Sequence, residues 1–148
     1  MTRSHWRTIV VFAAATFVLH WAWETAHAVA YVQTDLSFGA RVVHCLPMAL
    51  VDTVWSGAIV LMAVGAARLL GAPSLLWGVA AAVGALGAVG LEWYALASGG
   101  WSYNERMPIV PLVNVGLWPV LQMTLLPSVA AWLAVSLAAR RSVARQIS

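Results

Sequence analysis

The stretch TIVVFAAATFVLHWAWETAHAVAY, residues 8–31, decides the fold of this chain. It is almost entirely apolar up to Leu19, and as a helix it is long enough to cross a bilayer, which takes about 20 residues at 1.5 Å each. Its second half carries an acid, Glu24, between two histidines, His20 and His27. These three residues are spaced i, i+4, i+7, so they share a narrow arc of one helix face. The stretch predicts a transmembrane helix with one polar stripe.

The composition of the whole chain is that of a membrane protein. Of 148 residues, 62% are hydrophobic and only 9% are charged, whereas soluble domains carry about 25% charged residues. A single cysteine, Cys45, excludes an internal disulfide and a CxxC motif. The net charge of +3 comes from arginines at the ends of apolar segments. No basic stripe is present, so we expect no nucleic-acid partner, and no nucleotide-binding or hydrolase motif appears.

Four apolar stretches are long enough to span a membrane, at roughly 8–31, 45–69, 74–98 and 111–139. Six arginines flank one set of ends: Arg3, Arg7, Arg68, Arg140, Arg141 and Arg145. Only Arg41 and Arg106 lie in the opposite loops, so the positive-inside rule places both termini in the cytoplasm. We expect one all-α domain, residues 1–148, folded as a polytopic four-helix bundle (N-in, C-in) in a bacterial cytoplasmic membrane.

The first stretch also has some features of a cleavable signal peptide. Two arginines precede its apolar core, and Ala26–His27–Ala28 matches the A-x-A cleavage pattern. Glu24 and two tryptophans directly before that position are atypical of a signal peptide, so we favour a retained helix.

Each of the other three stretches also carries a stripe with a four-residue period. The stripes are His44, Met48, Asp52 and Ser56; Ala80, Gly84, Ala88 and Glu92; and Asn114, Trp118 and Gln122. Small residues four apart mark a face that approaches another helix, so Glu92 should face the protein interior. Counted at 1.5 Å per residue from the outer helix ends, Glu24, Asp52 and Glu92 lie at depths of about 9–12 Å. Gln122, counted from Pro111, lies about 16 Å deep.

These acids predict a polar pocket in the outer half of the membrane, because an ionised residue at mid-bilayer costs about 2.5–3.5 kcal/mol. A carboxyl in a dry pocket can act as a general acid. We therefore expect Glu24 or Glu92 to donate a proton, with Asp52 as the ionised partner and His20 beside them. The predicted ligand-binding residues are His27, His44, Trp23, Trp55, Trp93, Tyr103, Arg106, Asn114, Trp118 and Gln122. The loop 98–111 places Arg106 above the acids as a candidate counter-ion of Glu92 or Glu24.

Three classes of function are compatible with this pocket. The leading expectation is binding of an apolar small molecule beside membrane lipid, with conversion by acid–base chemistry of an isomerase or cyclase kind as a further step and no cofactor. The second is an ion transporter, expected as a dimer, or a metal-binding protein. Its nitrogen and oxygen ligands would be His20, Glu24, His27, His44, Asp52 and Glu92, although no HExxH motif is present. The third is an accessory subunit whose acids pair with arginines of a partner in a membrane complex.

Two resemblances bear on these classes. The segments WE (23–24), HC-x6-D (44–52), LEWYA (91–95), GGWSYNERMPIVP (99–111) and GLWPVLQMTLLP (116–127) resemble a family of small four-helix bacterial membrane proteins of unassigned function. The likeness covers most of the chain and includes the polar residues named above.

More distantly, the chain resembles the emopamil-binding and sterol-isomerase superfamily, whose members bind sterols and cationic amphiphiles in a membrane cavity. The matching positions are His20 with Glu24, Asp52, and Asn114 with Trp118. The chain departs from that pattern in its Asn–Trp spacing, in Glu92 and in its 99–108 loop. The resemblance implies a membrane cavity for an apolar ligand, with isomerase activity as an expectation.

Overall fold

The computed structural model describes the backbone of residues 3–32 and 36–147 and the side chains of 5–32 and 36–139. Within these ranges the chain forms five helices and one two-stranded sheet. The helices are α1 (Arg3–His27), α2 (Phe38–His44), α3 (Leu46–Leu69), α4 (Leu76–Ser98) and α5 (Leu117–Ile147). The strands are β1 (Ile109–Val110) and β2 (Val115–Gly116), and single 3₁₀ turns lie at Ala28–Ala30 and Pro73–Leu75.

Four of these helices are long and apolar enough to cross a membrane. The candidate spans are His5–Ala30, Leu46–Leu69, Pro73–Ser98 and Leu117–Ala139. Large hydrophobic side chains cover their outer faces, for example Leu61 at 73% and Leu86 at 74% exposed. The buried face of α4 instead consists of small residues and Glu92. The predicted helical class is confirmed, as are four helices with the length and apolar composition of membrane spans.

The fourth span begins later than predicted. Residues 111–116 form the turn and second strand of a small hairpin, in which Ile109 pairs with Gly116 and Val110 with Val115. Asn114 closes this turn with a left-handed φ of 53°, a conformation that asparagine tolerates better than most residues. Helix α5 therefore starts at Leu117. The predicted loop that carries Arg41, between the first and second spans, also contains a helix, α2.

The four long helices pack around a core of small side chains. Helices α3 and α5 each contact both α1 and α4, and they also contact one another. The apolar core lies among α3, α4 and α5, and its buried members are Ile59, Ala63, Ala80, Ala88 and Met123. Small residues allow close approach of helix backbones where lipid removes most of the hydrophobic driving force for association.

The closest approach of α4 to α5 depends on Gly84 and Pro127. Pro127 lies inside α5 and has no N–H to bond the carbonyl of Met123, four residues earlier. A Cβ at Gly84 would lie 2.0 Å from that same carbonyl oxygen. Gly84 therefore leaves room for the carbonyl that Pro127 frees. Pro119 sits in the first turn of α5, where its missing N–H breaks no intrahelical bond.

The two longer connections meet at one end of the molecule, called the loop end below. The loop that follows α4 folds back onto the end of α1. The N–H of Val32 donates to Ser102 O at 3.0 Å, and the N–H of Asn104 donates to Ala30 O at 3.0 Å. The Asn104 side chain adds a 2.8 Å bond to Val29 O. The loop thus covers the end of α1 nearest to Glu24.

Candidate functional site

Gln122 lies at the centre of a buried polar cluster contributed by three helices. It is five residues into α5, about 7–8 Å below the helix start, and its side chain is buried. This depth is less than the roughly 16 Å predicted from the sequence, because α5 starts at Leu117 and not at Pro111. The Gln122 cluster, as we call it, comprises Gln122 of α5, His20 and Glu24 of α1, and Asp52 and Ser56 of α3.

The amide nitrogen of Gln122 contacts three acceptor atoms. It lies 2.8 Å from Nδ1 of His20, 2.8 Å from Oε1 of Glu24 and 2.9 Å from Oδ2 of Asp52. His20 is fully buried, and its Nε2 lies 2.8 Å from the hydroxyl of Ser56. The carboxyl groups of Glu24 and Asp52 also interact with each other. One donor group therefore joins α5 to both α1 and α3.

The hydrogen count of this cluster has a chemical consequence. An amide nitrogen carries two hydrogens, so Gln122 cannot donate a full hydrogen bond to all three acceptors at once. At most two of the contacts to His20, Glu24 and Asp52 can therefore be full hydrogen bonds from Gln122. A proton on His20 Nδ1 would face Asp52 Oδ2, which is 3.5 Å away. The cluster therefore places one histidine and two carboxyl groups around a donor that cannot satisfy all three.

His27 and Trp23 extend the cluster toward the loop end. Nε2 of His27 lies 3.9 Å from Oε2 of Glu24, and its Nδ1 is 2.9 Å from Trp23 O. The ring of Trp23 contacts Trp118 edge-on at 6.3 Å. The indole nitrogen of Trp23 is buried and has no hydrogen-bond partner among the described residues. This N–H is a donor that an acceptor on a bound molecule could satisfy.

Glu92 forms a separate centre beneath the loop that follows α4. It is buried on α4 and accepts hydrogen bonds from the phenol of Tyr103 and, at 3.1 Å, from the indole of Trp101. The Tyr103 hydroxyl in turn accepts the N–H of Gly116 at 2.9 Å. The three predicted acids therefore divide into a pair, Glu24 with Asp52, and a single acid served by the loop.

Tyr31 connects the two centres. Its ring lies 5.6 Å from the rings of both His27 and Tyr103, and 6.2 Å from Trp101. Burial raises the pKa of both the Tyr31 and the Tyr103 phenol above the ordinary tyrosine value, and the hydrogen bond to Glu92 raises that of Tyr103 further. Both phenols therefore stay protonated at neutral pH. Tyr103 keeps its role as a hydrogen-bond donor to Glu92.

Five of the predicted site residues lie away from these centres. His44 is exposed at the end of α2, and Asn114 is exposed in the hairpin turn. Trp55 and Trp93 are 46% and 53% exposed on the outer faces of their helices. The side chain of Arg106 is exposed and forms no ion pair with Glu92 or Glu24; its backbone N–H donates to Asn104 Oδ1. Trp101 and Tyr103, and not Arg106 as predicted, are the partners of Glu92.

The predicted set of site residues omitted three members of these centres. Ser56 was part of the α3 stripe, and its position four residues after Asp52 could have identified it. The other two are Trp101 in the loop after α4 and Tyr31 just after α1. Their roles depend on how the loop folds over α1, for which the sequence gives no periodic signal.

The predicted metal ligands are not gathered into one group. Among the described residues, no three His, Cys, Asp or Glu side chains are arranged to hold a metal ion. Glu92 is bound by loop donors and His44 points outward, so both are separated from His20, Glu24 and Asp52.

No family model, curated protein or solved structure matches this chain.

Proposed function

We propose that this protein is an integral membrane protein that binds an apolar small molecule at the Gln122 cluster and converts it by acid–base chemistry. Glu24 is the proton donor, Asp52 is its ionised partner, and His20 holds or relays the proton. The ligand carries at least one acceptor atom, which the Trp23 indole N–H would bond. The reaction class is an isomerisation or cyclisation, in which a proton is added at one carbon and removed at another.

One observation carries this proposal: a single buried amide nitrogen lies within 2.9 Å of a histidine and two carboxyl groups. Hydrogen bonding between helices alone would need only one acceptor for each hydrogen. Two acids that share a donor can differ in protonation, which is the property that a general acid and a general base require. The more distant likeness to the sterol-isomerase superfamily, through His20, Glu24 and Asp52, supports the same class.

The orientation belongs to the same proposal. With six arginines flanking the far ends of the helices and two near the loop end, the loop end faces outward. The buried polar side chains, from Thr16 and Ser56 at the helix midpoints to Glu92, all lie at or on the loop side of the midpoints. An apolar ligand would therefore enter from the outer leaflet of a bacterial cytoplasmic membrane.

The same distribution weighs against an ion-conducting pathway. Beyond Ser56, the buried residues of α3 are Ile59, Ala63 and Ala67, whose side chains offer no ligand to an ion. An ion or metal site built on His20 and Glu24 is the alternative. The other alternative is an accessory subunit that needs a partner, or a second copy, for stability.

The test is mass spectrometry of an organic extract from the protein purified in mild detergent. The variants are Glu24→Gln, Asp52→Asn and Glu92→Gln. The matched control is Thr53→Val, because the Thr53 hydroxyl donates only to Ala49 O of its own helix. We expect one apolar compound in near-stoichiometric amount from the wild type and the control, and its loss from Glu24→Gln and Asp52→Asn with helicity intact.

Other outcomes reject the proposal in favour of a named alternative. Bulk lipid alone from every sample rejects ligand binding. Metal content that falls in His20→Ala and Glu24→Gln supports the ion site. Aggregation of the wild type when expressed alone, relieved by a co-purifying membrane partner, supports the accessory subunit.

A further inference from the structure

A second polar feature lies at the loop end, outside the Gln122 cluster. It is a cleft of about 540 Å³ between the end of α1, helix α2 and the loop after α4. Its polar lining includes Arg41, Asn104, Glu105 and Arg106, and Tyr31 forms part of its wall. The volume falls within the usual range for small-molecule sites, about 300–1,000 Å³.

The wall of this cleft is held in place by hydrogen bonds. Asn104 bonds through its backbone N–H to Ala30 O and through its side chain to Val29 O and Tyr31 O, at 2.8–3.4 Å. Its Oδ1 accepts the N–H of Arg106 at 2.9 Å. Asn104 therefore fixes the position at which the Arg106 side chain leaves the loop.

Among the described residues, the lining of the cleft carries more positive than negative charge. In residues 5–32 and 36–139, no ion pair within 4.0 Å joins Arg41 or Arg106 to a carboxylate. Glu105 lines the same cleft, so one acid faces two cations. Nε of Arg41 is buried and has no hydrogen-bond partner among the described residues. Its guanidinium carbon lies 5.9 Å from the centre of the Phe38 ring, which orients the group without neutralising it.

We infer that this cleft is a binding site for a phosphate group, either free phosphate or the phosphate of an anionic lipid headgroup. Arginine presents planar pairs of N–H donors that match the oxygens of a phosphate. An anion in the cleft would supply acceptors for the guanidinium groups of Arg41 and Arg106 and offset the positive charge that Glu105 leaves. The inference does not rest on the function proposed for the Gln122 cluster, because no cluster member lines the cleft.

The experiment measures phosphate and lipid binding to the full-length protein in uncharged detergent. Inorganic phosphate is titrated at constant ionic strength while the unfolding temperature is followed. In parallel, mixed micelles with equal phosphatidylglycerol and phosphatidylcholine are exchanged onto the protein, and retained lipid is quantified. The variants are Arg41→Gln, Arg41→Lys and Arg106→Gln. The control is Arg68→Gln, an exposed arginine at the opposite end of α3.

We expect Arg41→Gln and Arg106→Gln each to weaken binding about tenfold or more, because each removes a charge-assisted contact. Arg41→Lys should weaken binding less than Arg41→Gln does, and Arg68→Gln should bind as tightly as the wild type. A phosphate-dependent rise in unfolding temperature identifies free phosphate as a ligand. Selective retention of phosphatidylglycerol without a phosphate effect identifies the headgroup. No preference for either anion, or equal loss in Arg68→Gln, overturns the inference. Since Arg106 is exposed and its side chain bonds to no described residue, its variant should fold normally.

Discussion

Replacing Gln122 by methionine is the sharpest test of the Gln122 cluster. Methionine has nearly the same length and volume as glutamine, but it has no N–H donor. The substitution therefore leaves the packing of α5 largely intact and removes all contacts to His20, Glu24 and Asp52. The buried His20 and the partly buried carboxyl groups of Glu24 and Asp52 would then lack their shared donor.

The magnitude follows from the contacts at Gln122. Its two hydrogens make two full bonds at a time, and measured hydrogen bonds between membrane helices average about 0.6 kcal/mol with a maximum near 1.7. The acceptors left unsatisfied include two carboxyl groups, which places the cost toward the upper end. We expect Gln122→Met to lower the free energy of unfolding by about 2–3 kcal/mol. By the scaling for a chain of this size, this corresponds to a fall of about 5–10 °C in unfolding temperature.

The assay is helicity followed by circular dichroism during thermal unfolding in mild detergent, with Leu125→Met as the control. Leu125 lies on the outer face of α5 and is 46% exposed, so its substitution should change stability little. A second comparison uses the Glu24→Gln background, in which the new amide can donate to Asp52. In that background, Gln122→Met should lower the free energy of unfolding by half as much or less, because the effects of substitutions within one hydrogen-bond network do not add.

Two results would refute this reasoning. A Gln122→Met variant within about 0.5 kcal/mol of Leu125→Met would show that the amide contributes no net hydrogen bonding, against the cost expected for lost buried partners. Strict additivity with Glu24→Gln would show that the two side chains act independently, contrary to their 2.8 Å contact.

Three further predictions test the rest of the structure. Gly84→Ala should destabilise the protein by about 1–3 kcal/mol, because its Cβ would meet a carbonyl oxygen at 2.0 Å, whereas Gly87→Ala meets nothing within 4 Å and should be neutral in the same melting assay. Tyr103→Phe should cost about 1–3 kcal/mol, because Glu92 loses a buried donor; an unchanged melting curve would contradict this. Cys45 should react slowly with maleimide at pH 7–8 and quickly after denaturation. It is buried, and burial raises the pKa of its thiol, so little reactive thiolate forms in the folded protein. Equal rates before and after denaturation would contradict its burial.

The sequence predicted the four long helices because their apolar runs are long enough to span a membrane. Helical periodicity predicted only part of the inward faces, since His44 and Asn114 of the predicted stripes are exposed. The i, i+4 spacing of His20 and Glu24, and of Asp52 and Ser56, is enough to place each pair on one side of its helix. The same rule could have removed Trp93 from the pocket. It directly follows Glu92 and so points about 100° away around the helix.

The start of α5 was mispredicted for a related reason. Residues 111–116 continue the apolar run, and over so short a length hydropathy does not distinguish a hairpin from a helix. Pro111 and Asn114 were the available signals, since both residues are typical of turns. The error had a consequence for the site, because it placed Gln122 about twice as deep as it lies.

The grouping of the acids could not be predicted from depth alone. Glu24, Asp52 and Glu92 lie at similar depths, but the distances between them depend on how each helix is rotated and which helices are neighbours. That rotation is set by packing, such as the approach of Met123 O to Gly84, and by the loop that brings Tyr103 to Glu92. These are long-range contacts that leave no periodic pattern.

The chemistry of the Gln122 cluster explains why three helices would supply it. If the cluster only held helices together, one acceptor for each amide hydrogen would suffice, and a second carboxyl group would add a desolvation cost without a further bond. In the cluster, His20, Glu24 and Asp52 all lie within 2.9 Å of one amide nitrogen. The acid–base function proposed above would account for the additional carboxyl group, because a general acid and a general base require two groups that can differ in protonation.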